Sequence, residues 1–170
     1  PEQKKGIVES GDLNVDYELA YINLESGNYD AAMRIINTKK GSEYKPLEIV
    51  LRRKLGADAF RSGKYSQAAD HFNGVVATGS NETADQFNAT VAELMASKLR
   101  NPEASLERYA RQNIPEGLLN YAIYLDESGQ SIKASSYYER FLASSSGKKA
   151  EEVKKLIQTK HRVWGPNAGN

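Results

Sequence analysis

The chain has 170 residues, enough for one domain with a continuous core. Its 23 basic residues nearly cancel its 22 acidic ones, and a net charge of +1 gives no electrostatic footprint for nucleic acid or an anionic membrane. The absence of cysteine excludes disulfides, thiol nucleophiles and the common structural zinc sites, and no apolar run approaches the length of a membrane span.

Residues 1–11 are polar and interrupted by Gly6 and Gly11, so they are expected to form a flexible leader. Asp12 or Asn14 then caps a helix through about Ser26, with Leu19, Ala20, Ile22 and Leu24 as its apolar side and Tyr17 and Tyr21 one turn apart beside it. Gly27-Asn28 turns the chain into a partner helix from Tyr29 to about Thr38, carrying Ala31, Ala32, Met33, Ile35 and Ile36. Lys39, Lys40 and Gly41 supply a basic last turn and a glycine stop.

Pro46 is tolerated in the first turn of a helix, and it opens one bearing Leu55, Gly56, Ala59 and Phe60 on one side. After Ser62-Gly63-Lys64 a second helix carries Ala68, Ala69, Phe72, Val75 and Val76. Gly56 and Ala68 lack bulk where the two backbones must approach, leaving Leu55, Tyr65 and Phe72 to fill the space around them. The basic run Arg52-Arg53-Lys54 reads first as a solvated face. Its functional reading is an anion-accepting strip through Arg53 and Arg61, which lie eight apart and point to similar sides.

Past the loop Thr78-Gly79-Ser80-Asn81, residues 82–99 form the longest uninterrupted helical pattern, with Phe87, Val91, Leu94, Met95 and Leu99 apolar. Asn101-Pro102 interrupts it as cap and first helical residue, and a short helix runs to Gln112 with Ala104, Leu106 and Tyr109 inward. Ile114-Pro115 starts a helix lined by Leu118, Leu119, Ala122, Ile123 and Leu125. Ser128-Gly129-Gln130 turns it into another lined by Ile132, Ala134, Tyr137, Tyr138, Phe141 and Leu142. A charged last helix, 147–162, has Val153, Leu156 and Ile157 as its stripe, and Trp164 and a tail over 163–170 follow.

One pattern recurs. Gly56, Gly63, Tyr65, Ala68 and Phe72 have counterparts 36 residues earlier at Ala20, Gly27, Tyr29, Ala32 and Ile36, and 66 residues later at Ala122, Gly129, Ser131, Ala134 and Tyr138. The doubled interval implies a divergent copy between them, in which Ala89 and Thr90 compete for the small-residue position. This spacing resembles the tetratricopeptide repeat, a helix-turn-helix unit of about 34 residues. The resemblance implies an all-α, right-handed α-solenoid over 12–162, built of four helix pairs (13–46, 49–80, a divergent 82–114, and 115–146) plus a C-terminal capping helix.

Catalytic signals are weak. His71 and His161 have no histidine partner at ligand spacing, acidic pairs such as Asp126-Glu127 and Glu151-Glu152 splay apart on a helix, and no phosphate loop or nucleophile elbow occurs. No catalytic residue, cofactor or metal is therefore expected. Asn81-Glu82-Thr83 and Asn88-Ala89-Thr90 match the short glycosylation pattern, the second of them within a helix.

The resemblance implies that the first helices of successive units line a concave groove for a peptide or a helix of a partner protein. Carried over, the groove positions are Tyr17, Tyr21, Leu24 and Glu25, then Arg53, Ala57, Phe60 and Arg61, then Leu119, Ile123, Asp126 and Glu127, with Leu24, Phe60 and Leu119 the readiest to pack between helices instead. A basic end near Arg53 and Arg61 and an acidic end near Asp126 and Glu127 suit an extended polar peptide or one of both charge signs. The lysine and asparagine of a chaperone-binding carboxylate clamp are replaced by Tyr17 and Tyr21. The expectation is a non-catalytic protein-interaction module or scaffold, without nucleic acid or membrane insertion, of a bacterial envelope, secretion or pilus-assembly system. A self-assembling structural protein and an accessory domain of an enzyme are the alternatives. The compartment stays open between periplasm and cytoplasm, since a targeting segment ahead of Pro1 is compatible with a first residue other than methionine.

Overall fold

The computed structural model describes residues 15–144, 154, 155, 157–160 and 162. The leader, the first cap at Asp12 or Asn14, the opening of the last helix, Trp164 and the tail lie outside the described residues. Among the described residues there is no strand, and no helix is long and apolar enough to cross a membrane.

The helices are α1 (15–25), α2 (Tyr29–Lys39), α3 (Lys45–Arg61), α4 (Tyr65–Thr78), α5 (Thr83–Met95), α6 (Pro102–Arg111), α7 (Pro115–Glu127) and α8 (Ser131–Ser144), and residues 154, 155, 157 and 158 are also helical. A 3-10 turn, Ser42–Tyr44, leads into α3, where Pro46 stands in the first turn as expected. Each helix packs chiefly against its neighbours along the chain.

Left-handed bends explain this serial order. Gly27, Gly63 and Gly129 adopt φ of 76°, 71° and 78°. At each, the glycine N–H donates to the carbonyl three residues back and the next N–H to the carbonyl five back, which closes the helix. Ser97 (φ 57°) repeats the arrangement, with Ser97 N–H on Leu94 and Lys98 N–H on Glu93. The divergent unit therefore bends where the other three do, and α5 ends at Met95 rather than running on toward Leu99. Asn101 does cap α6, accepting from Ala104 N–H at 3.3 Å, with Pro102 first in the helix. This register places Thr90, not Ala89, at the small-residue position, where its hydroxyl meets that of Tyr109 at 3.2 Å. Between units, Lys40, Gly79 and Asn113 take the left-handed conformation in turn. Lys40 does so in place of Gly41, which is extended, so the glycine stop expected there lies one residue late.

Ser97 is a strained substitute for glycine, since a Cβ in the left-handed region costs about 1 kcal/mol. Its side chain is solvent-exposed. Ser97→Gly is expected to raise stability by roughly 0.5–1 kcal/mol, read as a shift in urea midpoint at unchanged slope; a destabilised variant would show that the serine side chain has another role.

The core comes in three groups strung along the chain. Ala20, Leu24, Ala32, Ile36, Tyr44, Leu47 and Leu51 form the first, the C-terminal end of α3 with α4, α5 and Tyr109 the second, and Leu106 and Ala110 with α7 and α8 the third. Gly56 lets Phe72 pack closely on α3, because a Cβ there would stand 2.7 Å from the ring. Five side chains expected inside are outside: Leu19 and Ile22 on α1, Ala104 on α6, and Ile132 and Leu142 on α8, with Ile132 93% exposed. Asn88 is fully buried in α5, which removes the second glycosylation match.

Candidate binding surface

The twelve groove positions divide by burial. Leu24, Ala57, Phe60, Leu119 and Ile123 are buried, so their side chains serve chiefly the core. Tyr17 is half-buried against Tyr44, ring centroids 5.8 Å apart. Tyr21, Glu25, Arg61 and Glu127 are exposed. Only four of the twelve positions that the resemblance assigns to a groove are therefore exposed.

Charge is also redistributed. Arg53 does not face solvent with Arg61; its guanidinium forks onto the fully buried Asp85, Nε to Oδ1 at 2.8 Å and Nη2 to Oδ2 at 2.6 Å, and also meets Glu82 at 2.9 Å. The Ser80 hydroxyl donates to the same carboxylate. These carboxylates hold the Arg53 pKa above its ordinary value, with the Asp85 hydrogen bond the largest cause. Arg53 is a structural tie between the second and third units, and the anion-accepting strip is corrected accordingly. Its neighbours point elsewhere: Arg52 bonds Glu48 at 2.7 Å and lies against Gly74, and Lys54 joins another cleft.

That cleft, about 190 Å³, brings Ala57 and Arg61 together with Tyr29, Lys54 and Asp58. Asp58 sits 2.6 Å from Arg61, one turn away. A second cleft, about 390 Å³, opens between α5 and α7 and is lined by Thr83, Ala84, Phe87, Asn113, Ile114, Pro115 and Glu116. None of these was among the expected site residues. Phe87 and Ile114 read in sequence as core or linker, and only the bend at Asn113 sets them side by side.

At the other end, Asp126 and Glu127 are both engaged by the chain itself. Lys160 lies 2.8 Å from Asp126, and Arg162 donates to Glu127 at 2.5 Å and to the Asn120 carbonyl at 3.0 Å. Among the described residues no cluster of side chains has the composition of a metal site.

His71, half-buried on α4, has its pKa lowered by burial and then by the Arg52 charge. The folded chain therefore refuses a proton that the unfolded chain accepts near pH 6.5. Stability is expected to fall as the pH drops below about 6.5, and His71→Gln should flatten that slope. Urea midpoints of both proteins across this window check it; parallel curves would deny the histidine this role. Asp126, whose pKa is lowered chiefly by Lys160, loses its contribution only at lower pH, as its own carboxylate protonates.

No family model, curated protein or solved structure matches the chain.

Proposed function

We propose that the chain is a non-catalytic protein-binding array of four tetratricopeptide-like helical hairpins, wound as a right-handed solenoid, that takes an extended peptide or a helix of a partner protein. The observation that carries this reading is the series of bends at Gly27, Gly63, Ser97 and Gly129, alternating with those at Lys40, Gly79 and Asn113. Repeated hairpins of this kind present successive first helices side by side, and such a surface suits elongated ligands. The cleft around Arg61 would take a polar residue of the ligand, and the apolar cleft between α5 and α7 a hydrophobic one.

A peptide selected by display on the native chain tests the proposal. Tyr21→Ala combined with Arg61→Glu, both exposed positions, is expected to weaken that peptide about tenfold or more while leaving the circular dichroism spectrum unchanged. Indifference to both changes, or failure to select any peptide, would remove the reading.

A second reading, self-assembly, is favoured by apolar side chains exposed near both ends of the helical series. Val15, Leu19 and Ile22 fall on one side of α1, and Ile132 opens α8. Sedimentation of the chain at high concentration separates the two readings, since a clean monomer excludes assembly.

A further inference from the structure

The acidic end of α7 is contacted by basic residues from the far end of the same chain. Lys160 ends the last helix in the left-handed conformation (φ 49°), its N–H on the Ile157 carbonyl, while Ile157 packs on the third core group. That bend returns the chain across α7. Arg162 then spans two helical turns, from the Asn120 carbonyl to the Glu127 carboxylate, positions seven apart that share a face. Its side chain is only 9% exposed, whereas Lys160 beside it on Asp126 is 46% exposed. A guanidinium is desolvated to this degree when its fork is matched on the other side, and here the match is a carboxylate plus a helical carbonyl.

The surroundings have the form of a recognition site. The Ser131 hydroxyl donates to the second Asp126 oxygen at 3.1 Å, which orients that carboxylate toward Lys160. The Tyr138 hydroxyl is covered and makes no hydrogen bond with the described residues. Burial raises its pKa first and the Asp126 and Glu127 charges add to the rise, so it stays a protonated donor beside the pair.

We propose that the Lys160–Arg162 segment is an intramolecular ligand of the α7 face, and that the partner for this face is a basic peptide of the same Lys-x-Arg spacing, which binds by displacing it. This inference rests on the groove reading above. Asp126 and Glu127 are groove positions in that reading, and the cations seated on them give the charge and spacing that the face accepts. An occupant tethered in cis lowers the fraction of chain open to a competitor, so the apparent affinity for an outside peptide falls by that fraction.

The probe is a fluorescein-labelled peptide with the chain's own 158–163 sequence, followed by fluorescence polarisation on the full chain. Lys160→Ser with Arg162→Ser is expected to bind it at least about tenfold more tightly than the native chain does. Adding Asp126→Asn and Glu127→Gln should abolish the gain. Arg162→Lys, which keeps the charge and loses the fork, should fall several-fold on the tighter side of native, and it stands in if the double serine variant does not fold. Equal binding by native chain and released variants, or no binding by a released variant of native helical content, overturns the proposal. A display-selected peptide that ignores all these substitutions while responding to Tyr21 and Arg61 would leave the groove reading in place and remove this one.

Discussion

Asp85→Ala is expected to lower stability by about 3–5 kcal/mol, a fall in Tm of roughly 10 °C for a chain of this size. Asp85 is completely buried in the first turn of α5, where its charge also suits the helix dipole. Removing it leaves Arg53, whose side chain is 16% exposed, with only the more exposed Glu82 as a counter-charge. Arg53→Met alone should be comparably harmful, because it strands a carboxylate with no access to water. Replacing both, as Arg53→Met with Asp85→Leu, is expected to be less damaging than either single change, since no uncompensated charge remains. Chemical denaturation of the four proteins in a double-mutant cycle reads this directly. A loss below about 1 kcal/mol for Asp85→Ala, or strict additivity, would mean that the ion pair behaves as a surface pair does.

Gly56→Ala is the second large effect, and its sign runs against helix propensity. Alanine in a helix interior is ordinarily favoured over glycine by about 1 kcal/mol. Here the added methyl would stand 2.7 Å from Phe72 Cε1 and 2.9 Å from two further ring atoms, and Phe72 is fully buried with no room to retreat. Overpacking of this kind costs about 1–3 kcal/mol, so a net loss is expected. Phe72→Leu should rescue part of it in the double variant although it destabilises alone. If Gly56→Ala melts above the native protein, the close approach of α3 and α4 is not what keeps glycine at this position.

The paired helices were legible because glycine, alanine and an aromatic recur in phase, and backbone approach leaves that compositional mark. Ser97 left none. A serine in the left-handed conformation looks like any other serine, so the third unit's bend was placed at Asn101-Pro102, where the chemistry is conspicuous. On α1, Ala20 with Leu24 and Leu19 with Ile22 are both helical pairs, and periodicity alone does not say which pair meets α2. Ala20 and Leu24 are buried. The site was less legible still. Arg53 and Arg61 do share a side of an isolated helix, but the partner of Arg53 stands 32 residues away, and no local pattern announces a buried carboxylate. Asp126 and Glu127 were found by position, yet their occupants come from the far end of the chain.

The three core groups, each made of residues close together in the chain, bear on how the molecule forms. The most extensive helix–helix contacts are between consecutive helices, so little loop-closure entropy stands between the unfolded chain and its first stable hairpin. Collapse can begin at any one of them and spread to the next. Under denaturant or tension the same topology lets the terminal helices peel away while the middle, tied by Asp85, still holds, so amide exchange should grade from both ends toward α4 and α5.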